Sequence, residues 1–506
     1  MPFSKKIFTF LIFSIFPSLL LSSSLFSCSK KSEIRAIGND GKTKKFICNI
    51  QDALEFVHKH KGGIVSLSAS TFTIGKQLVI HDNTTLEGVM KGGKVSTIRL
   101  KSNAPWRAKK RKNPAPALIV NSANIENLQK GKSHKIPKKN YNITIKNLSI
   151  NGNSGHQKPK WDLGQGDYVL ISFMEVEKIK ISNVTLFDGL DDGIFIKHGK
   201  DISITYCNIK NMGHSGIFQV EVEGSVVENN TIDVHVNSGI RFFGGTNFMI
   251  RNNNLYSTKG YGNYGIQISQ AYSHGFKMKD VLIEKNIIKQ MPNAGIALYA
   301  SRKDDYASAV IRNNLIYQCG SKSPNMSEFP KTTIEESGGI NIQSFSNVII
   351  SQNTLFNNHG SAIWLDNQFY ASEVNFSELQ TLEKSITIRN NIIVGSQSEK
   401  KPVYGIEKYF DLNSSGSSVN IYNNLFYNNQ NGAFSKNIVL KKENLFDTNP
   451  YFKRAKIHKN LEKIYKNEKM LYQKFDFRLE NNSSALNRNK DVIIGISKEM
   501  QLRAIE

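Results

Sequence analysis

The chain is poor in cysteine, which argues against two common ways of stabilising a fold or binding a metal. Only 4 of its 506 residues are cysteines. Beyond Cys28 they are Cys48, Cys207 and Cys319, an odd number of widely separated positions that match no metal-binding spacing. The sequence therefore predicts neither a disulfide framework nor a zinc site. We interpret these three as packing residues and expect Cys48 to form no disulfide.

Acidic residues are scarce relative to basic ones. Asp and Glu total 42 against 66 Lys and Arg, which gives a formal net charge of +24. The basic residues are concentrated between Arg99 and Lys139 and again between Lys453 and Lys474. Such charge attracts anionic partners through a long-range field that salt screens. Acidic glycans and lipid headgroups suit an exported protein, so nucleic acid is the least expected partner. We expect a monomer.

Long apolar runs are missing except at the start. The run from Ile7 to Leu21 is too short and too poorly flanked for a confident membrane span, and residues 1–27 read as an export signal. Leu25-Phe-Ser-Cys28 resembles a bacterial lipobox. It would lipidate Cys28 and anchor the protein at the outer membrane, the cell surface or the periplasmic face. An ordinary signal peptide cut near the same place is the alternative. Residues 28–48 would then form a tether.

The leucine framework of a leucine-rich repeat is absent, yet the chain is repetitive. One short sequence motif, here called the phrase, recurs. It reads apolar, any, apolar, any, then Asn or a substitute, often a second Asn, any residue and a final apolar residue. Its ten copies begin at Ile143, Ile179, Ile202, Ser225, Phe248, Val281, Ala309, Val348, Ile386 and Val419. The four copies from Ile179 to Phe248 are evenly spaced, and every other interval is longer. A period with a fixed minimum and a variable surplus indicates a solenoid whose extra residues form loops.

Each repeat is predicted to contain stacked strands. The phrase alternates with period two and is rich in Ile and Val, which indicates a strand. A second strand is marked by Gly-Ile, as at Gly193-Ile194 and Gly216-Ile217. Like strands would stack in parallel about 4.8 Å apart, and the second Asn of each phrase would form a ladder within sharp turns. The predicted fold class is all-β, a right-handed parallel β-helix of about ten or more rungs.

Both ends of the chain support a family resemblance. Ile50-Gln-Asp-Ala-Leu-Glu-Phe, followed by Gly62-Gly-Ile-Val-Ser-Leu, is similar to the short helix that caps many coils of this kind. Residues 444–452 and 475–486 are similar to the closing motifs of β-helix proteins that handle carbohydrate. With its rungs, the chain resembles the pectate-lyase-like right-handed β-helix superfamily. That fold hosts lyases, hydrolases, epimerases and non-enzymes, so the resemblance implies the fold more strongly than a reaction.

The domain organisation follows from the extent of the rungs. We expect one β-helix domain over residues 49–495, with an N-terminal capping helix. A basic insertion at 101–140 breaks the rung pattern and is predicted to be a loop or a pair of loops. Residues 496–506 are predicted to be a short tail.

Residues after Gly-Ile are predicted to point away from the coil, because side chains alternate along a strand. The first outward column reads Phe195, Phe218, Arg241, Gln267, Ala297, Asn341 and Trp364, and the second reads Lys197, Val220, Phe243, Ser269, Tyr299, Gln343 and Asp366. Aromatic rings on a rigid sheet suit stacking on sugars, and Arg and Lys suit uronate groups. Substrate-binding roles are therefore predicted for Phe195, Phe218, Phe243, Tyr299, Trp364 and Asp366. All are expected to face solvent unless loops cover them.

A second line of polar residues precedes Gly-Ile. Asp191, His214 and Asn237 should lie above one another, beside Asp192. The runs around Asp191-Asp192 and His214 resemble the paired-Asp and Gly-His-Gly motifs of polygalacturonase-type glycosidases, although Ser215 separates His214 from Gly216. This resemblance implies an inverting hydrolase, in which one carboxylic acid protonates the leaving oxygen and another carboxylate activates water.

A lyase would use the same residues differently. Arg241 would be the base, Lys197 would neutralise a uronate carboxylate, and Asp191 and Asp192 would hold Ca²⁺. The Asp-rich loop of a strong calcium motif is absent, so no metal site is predicted and calcium is only an option. The Asp-Pro-His signature of epimerases in this superfamily is also missing.

Two functions remain open. The first is an exported lipoprotein that binds an acidic polysaccharide and cleaves or modifies it, as a lyase or a glycoside hydrolase. Asp191, Asp192, His214, Arg241 and Lys197 would be its catalytic residues. The alternative is a non-catalytic surface lipoprotein that binds glycan or matrix, or serves as a spacer. The lack of a complete motif from any one enzyme class supports the alternative.

Overall fold

The computed structural model describes most of the chain. The described residues are 26–28, 32–104, 117–125, 138–157, 168–258, 263–269, 278–299, 307–320, 338–343, 345, 347–366, 385–398, 402–408, 418–435, 438, 443–455, 475–487, 495–497 and 499–500. Residues 1–25 of the predicted export signal at 1–27 therefore lie outside them. The Lys and Arg residues of 105–137 and 456–474 also lie outside them. Among the described residues, no helix is long and apolar enough to cross a membrane.

The chain winds as a parallel β-helix, as predicted. Each turn contributes to three parallel stacks of strands, here called sheets A, B and C in the order in which the chain passes through them. Five long strands bend around corners of the coil and enter two or all three sheets: Asn140–Asn151, Val169–Gly189, Ile194–Thr205, Ile217–Glu228 and Ser238–Arg251. These five form the middle of the coil and include five of the predicted site residues: Phe195, Lys197, Phe218, Arg241 and Phe243.

Shorter strands complete the three sheets. Sheet A also contains Leu78–Ile80, Ala117–Asn121, Tyr264–Ser269, Ala294–Tyr299, Gly338–Gln343, Ser361–Asp366 and Ile406–Lys408. Sheet B also contains Gly63–Leu67, Thr84–Gly88, Met278–Glu284, Ser308–Arg312, Asn347–Ser351, Ser385–Arg389 and Ser418–Tyr422. Sheet C also contains Thr71–Ile74, Thr97–Leu100, Asn208–Met212, Thr231–Asp233, Asn254–Tyr256, Ile287–Lys289, Leu315–Tyr317, Thr354–Phe356, Ile392–Val394 and Leu425–Tyr427.

The remaining elements lie at the ends and in turns. The other strands are Phe26–Cys28, Glu33–Gly38, Thr43–Ile47, Met90–Lys91, Lys94–Val95, Phe452–Arg454 and Asp476–Leu479. The α-helices are Ile50–Lys59, Ser484–Asn487 and a single turn at 122–125, with a 3₁₀ turn at Ser154–His156.

The register of the strands is the predicted one. Ile194 pairs with Ile217, and Ile217 pairs with Ile240, in parallel strands of sheet A. All three are fully buried inside the coil. Residues one repeat apart in the evenly spaced part of the chain are therefore vertical neighbours, and the burial of β-branched side chains along the whole axis stabilises the coil.

An asparagine ladder links the rungs at the turn between sheets B and C. Each buried ladder residue donates from Nδ2 to Oδ1 of the next, at 2.9–3.1 Å, through Asn230, Asn253, Asn286, Asn314, Asn353, Asn391, Asn424 and Asn444. Cys207 occupies the equivalent position before Asn230 and is buried. The left-handed backbone lies one residue earlier than predicted. Asn229, for example, has φ 56°, so the first Asn makes the turn and the second bonds between rungs.

The N-terminus is more ordered than a tether. Glu33–Gly38 and Thr43–Ile47 pair as an antiparallel hairpin, and the first of them also pairs with Gly63–Leu67. The helix Ile50–Lys59 then caps the coil, as predicted. Asn49 accepts a hydrogen bond from the backbone N–H of Asp52, and the helix buries an apolar face on the end of the core.

The prediction that Cys48 forms no disulfide is wrong in this structure. Phe26–Cys28 pairs antiparallel with Thr71–Ile74 and brings Cys28 beside the start of the capping helix. Cys28 and Cys48 are bonded there, with their Cα atoms 5.5 Å apart. This pairing lies outside the repeat, so the spacing of the cysteines along the chain did not reveal it.

Two predicted irregular regions contain ordered structure. Ala117–Asn121, inside the predicted basic insertion, is a strand of sheet A between Leu78–Ile80 and Val169–Gly189. At the other end, Ile496 and Met500 of the predicted tail are buried in an apolar cluster with Phe475 and Phe477, on the outside of sheet C. The C-terminal segment therefore covers part of the coil.

Candidate active site on sheet A

The candidate site lies on the outer face of sheet A. Both predicted outward columns are in register: Phe195 pairs with Phe218 and Phe218 with Arg241, while Lys197 pairs with Val220 and Val220 with Phe243. The columns continue without a slip to Trp364 and Asp366. The described part of Asp366 is its backbone, so the predicted role of its side chain lies outside the described residues.

Only part of this face is accessible, which corrects the expectation that every outward aromatic residue faces solvent. Phe195, Phe218 and Phe243 are partly exposed, as are Lys197 and Arg241. Tyr299 and Trp364 are 3% and 4% exposed. The alternation of a strand fixes which way a side chain points, but it does not determine what packs over it.

His214 is the centre of the polar group. Its Nδ1 lies 2.8 Å from Oδ1 of Asp192 and 3.5 Å from Oδ1 of Asp191. The same Asp192 oxygen accepts the backbone N–H of Ser215 at 2.9 Å. The stacked register brings the three side chains together, because His214 follows Asp191 by one repeat. Asp192 therefore orients the imidazole through Nδ1 and leaves Nε2 on the opposite side of the ring.

The other ring nitrogen of His214 faces two donors. Nη1 of Arg241 lies 3.0 Å from Nε2, and Nδ2 of Asn237 lies 2.9 Å from it. A guanidinium has no acceptor atom, and the hydroxyl of Ser238 donates to Oδ1 of Asn237 at 3.0 Å, which orients the amide. Nε2 must therefore carry a lone pair and Nδ1 the proton. This tautomer is inferred from the hydrogen-bond network.

Arg241 is held by aromatic rings. Its guanidinium carbon lies 4.9 Å from the ring centre of Phe218 and 4.2 Å from that of Phe243. The Phe195 and Phe218 rings are 5.4 Å apart, and the Phe218 and Phe243 rings are 5.1 Å apart. Cation–π contact with these rings holds the guanidinium in place. A guanidinium has the planar, forked geometry that binds a carboxylate.

The aspartate pair fits an inverting hydrolase poorly. Asp191 is fully buried and Asp192 is 4% exposed, with His214 and Ser215 bound to it. One carboxylate oxygen of Asp191, one of Asp192 and one ring nitrogen of His214 all lie within 4.8 Å of one another. An inverting pair stands roughly 6.5–9.5 Å apart so that water fits between the groups. The geometry instead favours Asp192 as the group that positions His214.

The same three residues could in principle hold a cation. They offer two carboxylates and one imidazole, whereas Ca²⁺ takes about six to eight oxygen ligands. The guanidinium of Arg241 on the far side of the imidazole adds positive charge. Among the described residues this set fits calcium poorly, and no step below depends on a metal.

Lys197 lies on the same face but in the other column. It pairs with Met174 on one side and Val220 on the other, whereas Arg241 continues the column of Phe195 and Phe218. Lys197 and Arg241 therefore share one surface but lie in different columns, and Asn237 is next to the imidazole, as the stacking of the repeats predicted.

One polar group was missed by the sequence analysis. His198 lies between Glu175 of the preceding rung and Glu221 of the following rung, with one ring nitrogen bonded to each carboxylate. The hydrogen bond to Glu175 raises the pKa of the His198 imidazole, and partial burial opposes this shift. Each glutamate lies one repeat away from the histidine along the chain, so comparing residues one repeat apart would have found the group.

Sequence comparison identifies the fold family. Residues 111–255 and 238–449, together more than half of the chain, match the family described as right handed beta helix region. The chain belongs to this family, which gives the coil its right-handed sense. No curated protein sequence matches the chain.

Solved structures share the coil at low identity. The mannuronan C-5 epimerase AlgE6 A-module of Azotobacter vinelandii is 15% identical with a TM-score of 0.49, over 79% of this chain and 93% of that one. The family 28 exopolygalacturonase of Yersinia enterocolitica is 12% identical with a TM-score of 0.49, over 81% and 82%. The catalytic domain of a GH87 alpha-1,3-glucanase is 14% identical with a TM-score of 0.48, over 78% and 66%. At this level the likenesses indicate no substrate or reaction for this chain.

Proposed function

We propose that the protein binds an acidic glycan and removes the proton beside a uronate carboxylate, the first step shared by lyases and C5 epimerases. The observation that carries the proposal is the bonding of His214, with Asp192 at Nδ1 and the donors of Arg241 and Asn237 at Nε2. A lone pair beside two N–H donors suits a substrate that brings both an acidic C–H bond and a carboxylate.

The first requirement is to neutralise the carboxylate. A uronate bound to Nη1 of Arg241 and Nδ2 of Asn237 would take over the donors that now face Nε2. Charge-assisted hydrogen bonds of this kind are worth about 1.5–3 kcal/mol each. They strengthen as the carboxylate gains charge during proton removal, which is where stabilisation accelerates the step.

The second requirement is a base. With its donors withdrawn, Nε2 of His214 accepts the C5 proton, and the electron pair of the broken C–H bond moves into the carboxylate. Asp192 stabilises the resulting imidazolium through Nδ1. In a lyase the electrons then form a C4–C5 double bond and expel the oxygen substituent at C4, which takes up the proton held at Nε2. In an epimerase water supplies a proton to the opposite face of C5.

The aromatic column would hold the sugar ring. Phe218 and Phe243 are partly exposed next to Arg241, and Phe195 is partly exposed beside Phe218, so an apolar ring face and a carboxylate can be bound together. This arrangement replaces the predicted roles of Arg241 as base and of Asp191 and Asp192 as the acid–base pair.

We also propose that the protein is exported and anchored by lipid at Cys28. The apolar N-terminal run and the lipobox-like sequence support this location. One sulfur cannot hold a lipid and the Cys28–Cys48 disulfide together, so lipid transfer would leave Cys48 as a thiol. Mass analysis of protein extracted from membranes decides between them: acylated Cys28 supports the anchor, and a Cys28–Cys48 peptide contradicts it.

The reaction is tested with purified protein and a panel of uronate polymers and oligomers in deuterated water. Deuterium at C5, or a new unsaturated product, is expected for wild type and is expected to disappear in His214→Gln. His198→Gln changes a histidine at the bend that follows the sheet A residues, outside the site, and should retain activity. New reducing ends without unsaturation or deuterium would indicate hydrolysis and contradict the proposal. Binding without any chemistry would favour the non-catalytic alternative.

A further inference from the structure

The outer face of sheet A is accessible over a short length of the coil. In the first outward column, Val120 and Ser172 are buried before Phe195, and Ala297 and Asn341 are buried after Gln267. Four residues of the column lie between these limits and are all partly exposed: Phe195, Phe218, Arg241 and Gln267. They are here called the accessible window. Four rungs span three strand spacings, about 14 Å.

Packed side chains close the N-terminal end of this window. Ala117, Val120 and Val169 form a buried apolar cluster outside the coil, and Phe195 packs against it. The strand Ala117–Asn121 is buried along its whole length. A chain lying along the coil over Phe218 and Phe195 would meet this cluster.

A second cluster closes the C-terminal end. Tyr264, Ala294, Ala297 and Tyr299 are packed together. The Tyr299 hydroxyl lies 3.2 Å from that of Tyr264, which also accepts a hydrogen bond from Asn293 at 3.0 Å. A buried cluster whose polar atoms are hydrogen-bonded is rigid, so it limits how far a bound chain can extend along the coil.

The spacing of the repeats agrees with these limits. The phrases that begin at Ile179, Ile202, Ser225 and Phe248 follow one another at the shortest interval in the chain. The intervals on either side, from Ile143 and to Val281, are longer. Three of the four accessible residues, Phe195, Phe218 and Arg241, therefore lie in turns without surplus residues, and Gln267 lies in the first longer turn.

On the basis of the proposed function, we infer that the substrate is a short acidic oligosaccharide, or the end of a chain, and not the interior of a long polymer. His214 and Arg241 lie on the second and third of the four accessible rungs. A sugar beside them can extend only a short way along the coil before it reaches one of the two clusters.

The length of the substrate is tested with uronate oligomers of increasing size, labelled at one end, and with the parent polymer in deuterated water. Short oligomers are expected to gain deuterium or unsaturation, and the parent polymer only within a few sugars of an end, with kcat/KM rising over the first few sugars and then constant. Deuterium throughout the interior of the polymer, or polymer products of intermediate length at the first turnovers, would overturn the inference.

Calorimetry separates this inference from the proposed function, because it needs no turnover. Affinity that stops increasing after a few sugars supports a closed window even if no chemistry occurs. Affinity that keeps increasing with chain length contradicts it. The absence of both deuterium and unsaturated product with every probe would refute the proposed reaction alone.

A variant that shortens the window gives a further check. Ser269 lies partly exposed at the C-terminal end of the second column, and Ser269→Trp should lower the affinity for the longest accommodated oligomer about tenfold. Shorter oligomers should bind as before. Ser203→Trp places the same side chain on the outer face of sheet B, at the level of Phe195. It should change neither the affinity for the longest accommodated oligomer nor that for shorter ones. Equal binding by both variants would contradict the inference.

Discussion

Asp192 and His214 are hydrogen-bonded at 2.8 Å, although they belong to different turns of the coil. Replacing this acceptor with an amide tests what the bond does. In Asp192→Asn, the amide oxygen can still accept from Nδ1 and from the backbone N–H of Ser215, but the negative charge that stabilises the imidazolium is lost. We expect kcat to fall by about 10²–10⁴-fold, the range of general acid–base catalysis, with the circular dichroism spectrum unchanged. Asp201→Asn, at an exposed turn, is the matched control, and wild-type kcat in Asp192→Asn would exclude the positioning role.

The asparagine ladder should account for a measurable part of the stability. Asn314 donates to the Ile283 carbonyl and to Asn353, and accepts from the backbone and side chain of Asn286. Asn314→Ala leaves these buried groups without their partner, at a cost of about 1–3 kcal/mol per unsatisfied group. We expect the free energy of unfolding in urea to fall by roughly 3 kcal/mol in total.

The control for the ladder is Asn420→Ala. Asn420 points outward from sheet B and is partly exposed, so we expect a change within about 0.5 kcal/mol. Equal losses in the two variants would mean that the ladder contributes nothing beyond an ordinary asparagine.

The Glu175–His198–Glu221 group predicts a pH dependence. The folded state raises the pKa of His198 above its usual value, so the native protein binds the proton more tightly than the unfolded chain. The stabilisation is complete below the unfolded pKa of about 6.5 and is lost as the pH rises through the folded pKa. The difference in unfolding free energy between wild type and His198→Gln should therefore be larger near pH ~5.5 than near pH ~8.5. A difference that grows with pH would have the wrong sign.

The disulfide can be tested in protein produced without lipidation. Cys28 and Cys48 are 20 residues apart in sequence, and closing a loop of this size stabilises a fold by about 3 kcal/mol. Cys48→Ser should lower the free energy of unfolding by that order. Cys28→Ser should have the same effect, and the double variant should lose no more than either single one. Additive losses would show that the two sulfurs act separately.

The sequence predicted the coil because the repeat is itself the structural signal. Once the constant shortest interval was recognised, the stacking of Ile194, Ile217 and Ile240 followed, and the outward columns followed from strand alternation. The proximity of Asp191, His214 and Asn237 was predictable for the same reason. These inferences need only the period of the chain.

Features that depend on contacts outside the repeat were not predictable in this way. The burial of Tyr299 and Trp364 depends on what packs against the outside of the coil. The Cys28–Cys48 bond depends on an antiparallel strand that is not part of any rung. The role of Asp192 in holding His214 depends on side-chain rotamers, which a period does not specify.

Asp192, His214 and Arg241 come from three successive turns of the coil. Duplication of a single repeat would therefore have different effects inside this stretch and outside it. An extra repeat copied into the chain between residues 193 and 240 would insert a layer about 4.8 Å thick and separate the imidazole from one of its partners. The same copy placed beyond residue 300 would lengthen the rod and leave these three side chains together. Homologues can therefore be expected to differ in overall length while keeping this short central stretch free of insertions.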